Sequence, residues 1–149
     1  MATVYDNSLH LGNFTHGNGK VLVSDGSAFQ AQSGFLLLSQ STGVSVNVGT
    51  KTTLYTVPAG KIAVVTAIIV RAPSVAVTTA VAGIGFNAGG NDVIATIPLG
   101  FLNTTTASGF SGTDGGARVG SATSILGMLC SVLEGTNTTI SVDILGFLV

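Results

Sequence analysis

The stretch Lys61-Ile62-Ala63-Val64-Val65-Thr66-Ala67-Ile68-Ile69-Val70 constrains this chain more than any other. It is apolar and β-branched almost throughout, and side chains branched at Cβ fit a pleated strand better than a helix. It is far shorter than the roughly 20 residues a helix needs to cross a bilayer. Pro58-Ala59-Gly60, in the Pro-x-Gly order of a tight turn, precedes it, and Pro73 closes it. So uniformly apolar a run cannot face water on either side. It is predicted to be a central strand buried on both faces.

The rest of the chain must supply its neighbours, and it reads as more strands. With 21 glycines, abundant Thr, Ser and Val, and few Lys, Glu or Arg, helix is disfavoured. Val44, Val46 and Val48 alternate with polar residues at the strand period. Residues 52–57 form a further strand. Residues 75–86 form another, loosened by Gly83 and Gly85, with a turn over 87–91. A short strand over 93–97 stops at Pro98. Residues 124–133 and 138–145, separated by Glu134-Gly135-Thr136-Asn137, read as a hairpin. Residues 103–120 are polar and glycine-rich, with Phe110 as the lone bulky apolar side chain. They read as a long exposed loop, peripheral to folding. Seven or eight short strands predict an all-β fold, a single jelly-roll-like β-sandwich over residues 35–149.

Residues 1–34 differ. They are rich in Asn, Gly and Ser, and read as an extended N-terminal arm or an edge hairpin. Val4, Tyr5, Leu9, Leu11 and Phe14 are isolated apolar residues there, the pattern of a segment that docks on a neighbour.

Charge decides how such a sandwich can exist. Five basic and six acidic residues make up 7% of the 149, against roughly 25% in ordinary soluble domains. So little charge leaves a free monomer poorly soluble. Part of the surface is therefore expected to be covered by other subunits, in a homotrimer. A net charge of −1 offers no basic field for nucleic acid, and no apolar stretch is long enough for a membrane helix. The single cysteine, Cys130, excludes a disulfide framework within the chain. The amino end lacks a basic segment followed by an apolar core, so synthesis in a cytosol is expected.

The sequence holds no constellation for catalysis. G-x-S-x-G and H-E-x-x-H are missing, and Asn18 stands where the glycine spacing of Gly12 to Gly17 would need a lysine to make a phosphate loop. Asp6, His10 and His16 share one flexible segment, which does not preorganise a metal site. Cys130, inside an apolar run, reads as a small buried hydrophobe. Glu134 and Asp143 flank the last hairpin and read as outward-facing, solubilising charges. No enzyme activity, cofactor or metal is expected.

Thr53-Leu54-Tyr55-Thr56-Val57-Pro58-Ala59-Gly60-Lys61 with the run that follows resembles the strand–turn–strand opening common in small virion proteins of tailed bacteriophages. Glu134-Gly135-Thr136 through Asp143-Ile144-Leu145-Gly146-Phe147 resembles their closing hairpin. The resemblance covers about a third of the chain, and it carries over no catalytic residue. It implies a virion structural protein made in the host bacterial cytoplasm. The expected role is a capsid cement or decoration protein. Such a protein binds the outside of a phage head and joins capsid subunits by burying apolar surface and pairing strand edges. Its partners would be the major capsid protein or other virion proteins. The alternative is a tail, baseplate or head-fibre component. A sugar-binding face relies on aromatic platforms, and two Tyr with no Trp hardly provide one.

Overall fold

Eleven strands and no helix account for the regular structure of the described residues, 20–24, 29–33, 36–112 and 118–149 of this computed structural model. They are β1 (Lys20–Ser24), β2 (Phe29–Ser33), β3 (Leu36–Ser45), β4 (Thr52–Thr56), β5 (Ala63–Arg71), β6 (Val81–Gly85), β7 (Ile94–Pro98), β8 (Ser108–Gly112), β9 (Arg118–Gly120), β10 (Ile125–Val132) and β11 (Thr139–Leu148). A five-stranded sheet in the order β3-β11-β5-β8, with β9 also on β5, packs against a four-stranded sheet in the order β4-β10-β6-β7. The fold is all-β, a β-sandwich. β1 and β2 pair only with each other. Within the sandwich the pairing is nested and antiparallel: β3 with β11, β4 with β10, β5 with β8 and β9, and β6 with β7.

β5 is central, as its composition requires, but its two faces differ. Ala63, Val65, Ile68 and Val70 are at most 4% exposed and belong to the core. Val64, Thr66 and Ile69 are only half-buried. The outer side of this sheet therefore keeps apolar surface that the expectation of two buried faces had covered. Ahead of β5, Lys61 N–H donates to Pro58 O at 3.2 Å, and Gly60 takes φ +71°, which suits the third position of a type II turn.

Several expectations are corrected. β3 begins at Leu36, well before the alternation that starts at Val44, and two irregularities in its register with β11 hide it. At one of them Gly43 sits at φ +68° where two residues of β3 oppose one of β11, a bulge that only a residue tolerant of left-handed backbone fills cheaply. The strand expected over 75–86 shrinks to β6, and residues 72–80 form a loop held by side chains from elsewhere. β10 and β11 are both present, yet they are not a hairpin. β10 lies in the four-stranded sheet and β11 in the other, so residues 133–138 turn a corner between sheets.

Nor is 103–120 a plain loop. β8 and β9 come from it, and both pair with the free edge of β5. Their glycines reflect packing. A Cβ on Gly109 would fall 2.2 Å from the Phe101 ring, and one on Gly120 would fall 2.3 Å from Phe86. Aromatic rings lie directly on the backbone of these edge strands.

The core joins both sheets and includes Val46, Val65, Ile68, Leu102, Leu126, Val142 and Ile144, all fully buried. Ile68→Ala is expected to cost about 2–5 kcal/mol in denaturant unfolding, the range for a large-to-small change in a packed core. Gly120→Ala is expected to cost about 1–3 kcal/mol by overpacking. Combined with Phe86→Ala, its cost should fall well below the sum of the single changes, a coupling that a double-mutant cycle measures directly.

Candidate functional site

Glu134 leads from β10 towards β11 and is 6% exposed. Its Oε2 accepts the backbone N–H groups of Thr78, Thr79 and Ala80 at 2.8, 2.9 and 3.2 Å. Its Oε1 accepts the Thr78 hydroxyl at 2.7 Å and the Gly135 N–H at 3.3 Å. On the main chain, Glu134 N–H donates to Val46 O at 3.0 Å, and the Asn47 amide donates to Glu134 O at 2.6 Å. The same Asn47 amide reaches Thr136 O, while its Oδ1 accepts Thr138 N–H at 2.7 Å. One carboxylate and one amide thus bind three chain segments: the exit of β3, the loop before β6, and the corner itself.

These bonds set the charge state of Glu134. The Thr79 N–H, the Thr78 hydroxyl and the Thr78 N–H favour the carboxylate and outweigh the cost of burial. They hold its pKa at about 2, against an ordinary 4.5. Both oxygens are committed inward, so this acid organises structure and does not solubilise the surface.

Asp143 is likewise not an outward solubilising charge. It is 8% exposed and takes a two-pronged contact from Arg71 across the β5–β11 pair, Nε to Oδ2 at 2.7 Å and Nη2 to Oδ1 at 3.2 Å. Glu134 and Asp143 each have their own partners and form no acid–base pair. Cys130 is buried, as read from its apolar run, and burial pushes its thiol pKa up. Among the described residues, no group of three His, Cys, Asp or Glu is placed to hold a metal ion. Asp6, His10 and His16 lie outside the described residues, as do the arm residues Val4, Tyr5, Leu9, Leu11 and Phe14.

What the molecule does present is an apolar patch. Register places Leu145 beside Leu37 on one side and Ala67 on the other. It also places Phe147 beside Val64, and Val64 beside Val119. All six fall on the outer face of the five-stranded sheet, where Leu37 is 55% and Val119 62% exposed. Ile62 and Val149 continue the patch around the same end, with each N–H donating to the other's carbonyl at 2.9 Å. They too are exposed, by 45% and 57%. Further along this face stand Gln40, Ser141 and the Arg71–Asp143 pair, with the half-buried Ile69 beside Asp143. The sequence hints at the patch only through the excess of apolar residues in β5.

Comparison with known protein families, with curated proteins and with solved structures finds no match. Among the described residues no helix is long and apolar enough to cross a membrane.

Glu134 makes stability depend on pH. Because its folded-state pKa lies below the unfolded value, its contribution is complete above about pH 4.5 and is lost as pH falls towards 2. In Glu134→Gln an amide donor replaces one acceptor oxygen among N–H donors. Melting temperature at pH 7 should drop by several degrees, and the acid-side fall between pH 4.5 and 2 should flatten relative to the parent. Thermal unfolding followed by circular dichroism across that range measures both.

Proposed function

We propose that this chain is a non-enzymatic structural protein of a phage particle, a cement or decoration protein bound to the outside of the head. The observation that carries the reading is the apolar end of the five-stranded sheet, on a chain with too few charges to keep such a surface in water alone. The nested strand order, first with last and inward from there, supports the jelly-roll reading of the sandwich. It also fits the resemblance of residues 53–70 and 134–147 to small virion proteins.

The sheet edges favour one mode of attachment. β3 is broken by irregular register. The exposed side of β4 is occupied by the Ser39 and Ser41 hydroxyls, which donate to Leu54 O at 2.7 and 3.2 Å. β7 ends in Pro98, and β8 and β9 are short. Irregular, short and proline-ended edges resist pairing with another chain. Contact by buried side chains therefore fits better than contact by added strands. The partner is the major capsid protein or another virion protein, met by a homotrimer in the bacterial cytoplasm and retained on the virion.

In this reading Val4, Tyr5, Leu9, Leu11 and Phe14 are the arm's anchors on the capsid. Each fully buried side chain of this size contributes roughly 1.5–3 kcal/mol, less the cost of ordering the segment. Deleting residues 2–15 should leave a folded protein, with an unchanged thermal transition, that no longer co-sediments with capsids lacking their own copy. Undiminished co-sedimentation of the truncated protein would overturn the role of the arm.

A further inference from the structure

We infer that β8 and β9 form a strap that opens away from β5 while the rest of the sandwich stays folded. The edge of β5, the most apolar strand of the chain, is thus guarded by a detachable element. This device does not depend on the virion reading.

β5 lies between two unlike neighbours. Its core-facing residues are Ala63, Val65, Ile68 and Val70, all at most 4% exposed. Residues directly opposite each other on antiparallel strands share a face of the sheet. On one side β11 sets Val142 beside Val70 and Ile144 beside Ile68, and both are fully buried. On the other side the partners of Ala63, Val65, Ile68 and Val70 are Gly120, Arg118, Ser111 and Gly109. The strap therefore places two glycines, an arginine and a serine at core-facing positions, and no apolar side chain. Burial of apolar side chains is what ties a strand to the stability of the whole domain. β11 has that tie and the strap lacks it.

Two aromatic rings fill the space instead, and neither belongs to the strap. Phe101 follows β7 and lies so close to Gly109 that a Cβ there would fall 2.2 Å from the ring. Phe86 follows β6 and lies as close to Gly120, at 2.3 Å. The Phe101 ring is 41% exposed, so its grip on β8 is partly in water. Both ends of the strap are pinned to other segments. Ahead of β8, Ala72 N–H donates to Ala107 O at 3.0 Å. Beyond β9, Thr123 N–H donates to Val57 O at 3.0 Å. Strands of five and three residues, held by ladder bonds and two borrowed rings between fixed ends, belong to the low end of the range of local stabilities. Closed, the strap keeps the β5 edge from pairing with any other chain. Open, it bares the backbone N–H and C=O groups along that edge.

Native-state hydrogen exchange of the full chain, read by NMR at low urea concentrations, tests this. In the parent, the amides that pair β8 and β9 with β5 should exchange about a hundredfold faster than those of β11, or more. Their rates should depend little on urea, because a local opening exposes little surface. Ile144→Val loosens the core and leaves the pairing of the strap alone. It should speed exchange in β11 several-fold and leave β8 and β9 unchanged. Phe101→Ala should speed exchange in β8 about tenfold, as expected for loss of a part-exposed ring. Strap amides that exchange at the rate of β11 would overturn the inference. So would strap amides that follow β11 in Ile144→Val, since they would then open only with the whole sandwich. Unchanged exchange of β8 in Phe101→Ala would remove the ring as its clasp.

Discussion

A single residue, Glu134, ties together segments that lead into the two sheets. Glu134 lies where the chain leaves the four-stranded sheet for the other, and it collects N–H groups from residues 78–80, the approach to β6. Its own N–H is held by Val46, at the exit of β3. These segments lead to different sheets, and the part-buried or buried N–H groups of residues 78–80 find their acceptor in this one side chain. A buried backbone donor without an acceptor is costly. Carboxylate oxygens can accept several donors at once, which a neutral side chain cannot match. Asn47 does the complementary work, donating to the carbonyls of Glu134 and Thr136 and accepting the N–H of Thr138. With this corner fixed, β11 enters between β3 and β5, and the nested pairing of the sandwich follows.

The parts of the fold legible in sequence are those decided locally. The turn at Pro58-Ala59-Gly60 and the strand after it follow from fixed proline φ, glycine tolerance and β-branching. The alternation of Ile140, Val142 and Ile144 marks β11 in the same way. Other readings failed where partners are remote. The bonds of the Glu134 carboxylate to residues 78–80 reach across 54 to 56 positions, so nothing near it in the chain distinguishes it from a surface acid. Adjacent strands β10 and β11 resemble a hairpin because the local pattern of strand, glycine turn and strand is the same whether the chain folds back or crosses to the other sheet. The glycines around β8 and β9 imitate a loop, whereas two of them leave room for Phe101 and Phe86 rings placed by other segments.

The patch was half legible. A run as apolar as 61–70 needs cover on both sides, and that physical demand is sound. Within the described residues only the inner side is fully met, by Val46, Leu126, Ile144 and the rest of the core. The unmet half of the demand becomes the argument for assembly. Composition alone reaches the same place by another route, because a surface short of charge has little besides Thr, Ser, Asn and Gly to hold water.

The same scarcity of charge restricts how recognition can work. The Arg71–Asp143 pair neutralises itself across neighbouring strands, and the net charge of −1 projects almost no field. Long-range electrostatic steering, which speeds encounter between oppositely charged partners, has little to act on. Specificity must then come from shape at short range and from which apolar residues are offered together. Strand edges do not offer it, because bulges, proline and hydroxyl caps close them. In the proposed reading it falls to the end where β3 begins and β11 finishes, paired as Leu36 with Gly146. Nested pairing brings the first and last strands of the sandwich side by side. The topology that closes the core therefore also sets the start of β3 and the end of β11 at the same end as the exposed Val149 and Ile62.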